Sequence, residues 1–97
     1  MNSIIERKTK LIKEYNQMKK KFVKADIRYR RKKCRMMLEC NFEEILGKSR
    51  PTVAEKEAYI ELKTLNLKQT KDLIYNDLKL LEFEIGLCDN ELEVELK

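Results

Sequence analysis

The stretch Gly47-Lys48-Ser49-Arg50-Pro51-Thr52-Val53-Ala54-Glu55 decides the fold. It holds two of the three Gly and Pro residues in the chain. Gly47 is able to take the left-handed backbone that closes a helix C-terminus, and Pro51 stops a helix from running on. Thr52 and Glu55 have the spacing of a capping box, in which hydroxyl and carboxylate satisfy exposed N–H groups at a helix start. Glu55 and Glu57 also suit the positive end of the helix dipole. One helix therefore ends, the chain turns over residues 47–51, and a second helix begins at about residue 53.

Toward the N-terminus the apolar residues Ile4, Leu11, Tyr15, Met18, Phe22, Ala25 and Tyr29 follow a coiled-coil spacing, with steps of three and four after Leu11. Lys33, Met36 and Cys40 carry the seam on, and it reaches Ile45 and Leu46. A first helix over about residues 3–46 is expected. Toward the C-terminus two apolar stripes run along a second helix over about residues 53–86. One passes through Ala58, Leu62, Leu65, Leu73, Leu80, Phe83 and Leu87, the other through Leu67, Ile74, Leu78, Leu81, Ile85, Cys88 and Leu92. A helix with two apolar stripes touches more than one neighbour, and a hairpin supplies one. The expected fold is thus all-α: a long antiparallel, coiled-coil-like helical hairpin, one domain over residues 1–97, that dimerises into a four-helix bundle. Leu67, Ile74, Leu78, Leu81 and Ile85 are the candidate protein interface. Residues 87–97 follow Gly86 and alternate strictly from Glu91 to Lys97, a strand period; they fit a helical or frayed tail or an edge strand.

Composition agrees. The 97 residues are 40% charged and 42% apolar, with no His and no Trp. Three Gly and Pro residues cannot furnish the turns of a β-sandwich or barrel, and the periodic Leu, Ile, Val and Phe argue against disorder. No apolar run nears the ~20 residues of a membrane span. Met1 to Lys10 lacks the apolar core of a signal peptide. Cys34, Cys40 and Cys88 are too sparse for a disulfide framework and, without His, for a zinc site. A cytoplasmic protein with reduced thiols is expected.

Charge is uneven. Residues 1–38 hold 14 basic and three acidic side chains, residues 39–97 eight and 14. Between Lys19 and Arg35 ten cations face Asp26 alone. A hairpin folded near Ser49 sets residue i beside about residue 99 − i, so the acidic C-terminal stretch lies away from this band. Such a stripe is the footprint of a nucleic-acid or acidic-protein contact. The candidate contact residues are Lys21, Lys24, Arg28, Arg31, Lys32 and Arg35, with Tyr29 able at most to stack on a base. The run Arg30-Arg31-Lys32-Lys33-Cys34-Arg35 resembles the end of a bZIP basic region, but Gly47 and Pro51 leave no room for the zipper that must follow.

No catalytic residue, metal site, cofactor or small-molecule substrate is expected. Without His, acid–base work falls to other groups. Neither Gly belongs to a phosphate-binding loop. Carboxylate pairs such as Glu39 with Glu43, or Glu57 with Glu61, have the spacing of a solvated helix face.

Residues 47–59, Gly47-Lys48-Ser49-Arg50-Pro51-Thr52-Val53-Ala54-Glu55-Lys56-Glu57-Ala58-Tyr59, resemble a segment of a loose family of short helical-hairpin proteins. These are encoded by phages and prophages of Gram-positive bacteria, in early gene clusters near recombination and single-strand-binding genes. The resemblance implies a setting in phage DNA metabolism or host takeover, in the host cell cytoplasm; it carries over no site residues. The leading expectation is a non-enzymatic accessory protein that presents its basic band to nucleic acid without reading sequence. The rivals are an adaptor or inhibitor gripping a host or phage protein through the second stripe, and a purely structural coiled-coil element.

Overall fold

The computed structural model describes residues 2–96. Among them helix is the only regular element, in four segments: α1 (Asn2–Glu39), α2 (Phe42–Leu46), α3 (Val53–Lys63) and α4 (Leu65–Leu96). They form two compact units. One joins the described residues up to Val23 with those from Asp72 onward, and the other is Lys24–Lys71.

In the first unit the N-terminal part of α1 lies antiparallel to α4. Ile4, Leu11 and Cys88 form the buried centre, with Leu81, Ile85 and Leu92 packed against it. Tyr15, Met18 and Phe22 extend the α1 side as half-buried residues, in the expected seam. Polar pairs border it. The Arg7 guanidinium donates to Cys88 Sγ at 3.4 Å and to the Glu91 carboxylate, and Lys8 pairs with Asp89. The Tyr15 hydroxyl donates to Glu82 at 3.2 Å, and the rings of Phe22 and Tyr75 lie 5.8 Å apart. The numbers of Tyr15 and Glu82, and of Phe22 and Tyr75, each add to 97, a register two residues from the expected one.

α4 runs unbroken to Leu96, which overturns the edge-strand option for the tail. Alternation alone does not hold a strand without a partner edge. Here Leu92 packs on the Ile4–Leu11–Cys88 cluster while Asp89 and Glu91 reach Lys8 and Arg7, an arrangement that needs helical spacing.

In the second unit Tyr29, Phe42, Ile60 and Thr64 are buried. Asp26 of α1 meets Lys71 of α4 at 3.8 Å. The Lys33 and Lys71 ammonium groups lie 4.9 and 4.8 Å from the centre of the Tyr29 ring. The first helix does not reach Leu46 unbroken: it ends at Glu39, and α2 follows after Cys40 and Asn41. Asn41 caps α2, its Oδ1 accepting the Glu44 N–H at 3.4 Å. Asn is among the best N-cap residues. The interruption also lets Phe42 be buried edge-on against Tyr59, ring centres 6.1 Å apart.

Gly47 closes α2 at φ 61°, ψ 30°, the left-handed conformation that favours glycine. The capping box forms as the sequence predicts. The Glu55 N–H donates to Thr52 Oγ1 at 3.2 Å, the Thr52 N–H donates to Glu55 Oε1 at 3.3 Å, and Lys48 Nζ reaches the same oxygen at 2.8 Å. The Lys48 ammonium first, then the Thr52 N–H and hydroxyl, hold the Glu55 carboxyl below its ordinary value. A carboxylate whose folded pKa is depressed stabilises the fold fully above its unfolded value, about 4.3, and the contribution fades as pH falls through the lower folded value. Thr52→Ala is expected to cost about 1 kcal/mol and to diminish the acid-side fall in stability, read by urea titrations at pH 7 and pH 3.

The second helix also divides, into α3 and α4, at the buried Thr64. Its hydroxyl donates to the Ile60 carbonyl at 2.7 Å, with φ −104° and ψ 9°. A threonine bonded back to the preceding turn distorts a helix locally. The ladder survives, because the Thr64 N–H still meets the Ile60 carbonyl at 2.9 Å and the Lys68 N–H meets the Thr64 carbonyl at 3.0 Å.

Candidate nucleic-acid interface

The basic residues come from the central turns of α1, where steps of three and four between Lys24, Arg28, Arg31, Lys32 and Arg35 keep them on one helical face. The structure brings these five together around one open depression of about 580 Å3, with Ile27 and Leu67 as its apolar part. Its lining is dominated by these five cations, a chemistry that attracts anions. All five are exposed. None takes part in an ion pair or a side-chain hydrogen bond among the described residues.

Nearby acids do not neutralise them. Asp26 is held by Arg30 at 3.2 Å and by Lys71. Glu57 and Glu61 line a different depression, with Lys33, Cys34, Met37 and Ile60. Lys24–Lys71 as a whole carries 13 Lys and Arg against seven Asp and Glu, a net +6. The rest of the chain carries nine against ten, a net −1. The long guanidinium and ammonium side chains are thus free to meet phosphate oxygens, with Arg able to do so in bidentate fashion.

Lys21, one turn before Lys24 on α1, lines the depression formed with Glu14, Gln17, Met18, Asp77, Leu80 and Leu81. One site expectation changes. Tyr29 is 8% exposed and enclosed by two ammonium groups, so it offers no face to a base. Ile27 was not marked by the sequence reading, although it sits one turn from both Lys24 and Arg31 and shares their face.

The stripe expected to meet a protein partner is turned inward instead. Leu78 is buried, Ile74, Leu81 and Ile85 are half-buried, and Leu81 and Ile85 pack on the α1 seam. Leu67 lines the basic depression. The other stripe is the open one: Leu62, Leu65, Leu73, Leu80, Phe83 and Leu87 are all exposed. Glu82, Asp89 and Glu91 border the inward stripe and reach Tyr15, Lys8 and Arg7 of α1.

Among the described residues no group of three His, Cys, Asp or Glu side chains is placed to hold a metal ion. No helix among them is long and apolar enough to cross a membrane. Compared with known protein families, with curated proteins and with solved structures, the chain matches none.

Proposed function

We propose that the chain is a non-enzymatic accessory protein that binds the phosphate backbone of nucleic acid through the depression lined by Lys24, Arg28, Arg31, Lys32 and Arg35. The observation that carries this reading is the set of five exposed cations, none engaged by an acid, gathered at one depression. From Lys24 to Arg35 the helix rises about 16 Å, the span of roughly five successive phosphates on one strand. Phosphate contacts position a protein without specifying sequence, and no aromatic ring lines the depression to read or stack a base. The setting in phage DNA replication or recombination rests on the resemblance of residues 47–59 alone. The rival, an adaptor that grips its partner through Leu67, Ile74, Leu78, Leu81 and Ile85, has less support, because Leu78 is buried and Ile74, Leu81 and Ile85 are half-buried.

The test is fluorescence anisotropy with labelled single- and double-stranded oligonucleotides of unrelated sequence at low salt. Arg28→Glu with Arg31→Glu is expected to weaken binding at least tenfold, while Lys10→Glu, in the other unit, leaves most of it. No binding by the unaltered chain at low salt ends the reading. Equal losses from both variants show that net charge, not the depression, is responsible.

A further inference from the structure

The outward face of α4 in the first unit is the largest feature that a nucleic-acid contact leaves unused. Leu73, Leu80, Leu87 and Val94 recur every seven residues, with Phe83 between them, and are 44–73% exposed. Together they present on the order of 500 Å2, near the upper end of the largest patch on a monomer, ~300–600 Å2. Asp77 and Glu84 flank this stripe and, among the described residues, have no ion-pair partner; Glu91, on the same edge, is held by Arg7. Asp72, Lys79 and Glu93 lie along the other edge, and Lys79 is paired with Glu82.

α1 in the same unit carries a shorter apolar stripe, interrupted by Asn16 and Lys19. Ile5, Ile12 and Val23 are each at least two-fifths exposed, and Lys13 and Lys20, seven residues apart like Asp77 and Glu84, follow along its outer edge without an acidic partner. We infer that a second copy of the chain covers the α4 stripe, laying its α1 residues Ile5, Ile12 and Val23 upon it with Lys20 and Lys13 opposite Asp77 and Glu84. Pairing of α4 with α4 is disfavoured, because in an antiparallel pair the Asp77–Glu84–Glu91 edge meets its own copy.

The two stripes lie on opposite faces of the unit. The α1 stripe is on the side marked by the Lys8–Asp89 and Tyr15–Glu82 pairs, and the α4 stripe on the side marked by Arg7–Glu91. The contact is therefore heterologous, and such contacts repeat unless a rotation closes them into a ring. With roughly 800 Å2 of apolar surface from the two stripes, and interfaces about 60% apolar, the contact lies at the low end of the standard range of about 1,200–2,000 Å2, so association depends on concentration.

Sedimentation equilibrium on the full chain tests this without nucleic acid. From about 10 to 500 μM the weight-average mass is expected to rise above the 11.7 kDa of one chain and to pass twice that value. Asp77→Lys with Glu84→Lys, and separately Lys13→Glu with Lys20→Glu, are each expected to stay at one chain. An equimolar mixture of the two is expected to recover the mass, since every contact is then between opposite charges. Leu80→Gln with Phe83→Gln, which leaves the charges alone, is expected to remain monomeric while keeping its far-UV circular dichroism. A constant single-chain mass in the unaltered protein overturns the inference. So does a plateau at two chains, stronger association of the Asp77→Lys, Glu84→Lys variant, or a mixture that fails to recover.

Discussion

Replacing Ile60 by alanine is expected to lower the stability of the chain by about 2–5 kcal/mol, as large-to-small substitutions in packed cores do. Ile60 is 2% exposed in a unit with few other buried side chains, Tyr29, Phe42 and Thr64. Its main-chain carbonyl, which receives the Thr64 N–H and the Thr64 hydroxyl, is kept by the substitution, so the loss reports the side chain's packing alone. Domains of this size have in total about 5–15 kcal/mol, and the loss is a large share of that. Urea unfolding followed by circular dichroism measures it. Leu62→Ala, two residues further on the same helix but 69% exposed, is expected to change stability by about 0.5 kcal/mol or less. Similar losses at the two positions would show that α3 packs by another face.

The second large effect is ionic. Five phosphate contacts on a duplex imply that log K falls against log salt with a slope of roughly −4.5, and on a single strand of roughly −3.5. Between about 50 and 200 mM salt this amounts to roughly 500-fold and 130-fold weaker binding. Reversing Arg28 and Arg31 removes two of the five contacts, so the remaining slope on duplex is expected near −2.7. Anisotropy titrations at four salt concentrations read the slope directly. Binding that persists with a slope close to zero would mean that the depression holds its ligand by something other than charge.

Much of this architecture is legible in the residues. The α1 seam from Ile4 to Cys40 is buried or half-buried at the expected positions, Thr52 and Glu55 form their box, and Gly47 takes the left-handed turn. Periodicity and capping chemistry act within a few residues, which is why they read well. The interruption at Asn41 has a local signal, an N-cap residue with Glu44 three positions on, but the burial of Phe42 against Tyr59, 17 positions away in sequence, has none. The choice between the two stripes of α4 was equally hidden in hydrophobicity, since both are rich in Leu. The borders of the inward stripe do carry complementary charge, Arg7 and Lys8 on one helix and Asp89 and Glu91 on the other. Of the basic cluster, Lys24, Arg28, Arg31, Lys32 and Arg35 were legible from helical spacing, since steps of three and four keep them on one face of α1.

The three cysteines sample this fold unequally. Cys34 is open to solvent, Cys40 is half covered, and Cys88 is 1% exposed beneath the Arg7 guanidinium. A thiol-labelling reagent therefore marks Cys34 at once and reaches Cys88 only when α1 and α4 part around Ile4 and Leu11. The slow phase of mass-resolved labelling is a clock built into the chain, timing how often that end of the molecule breathes.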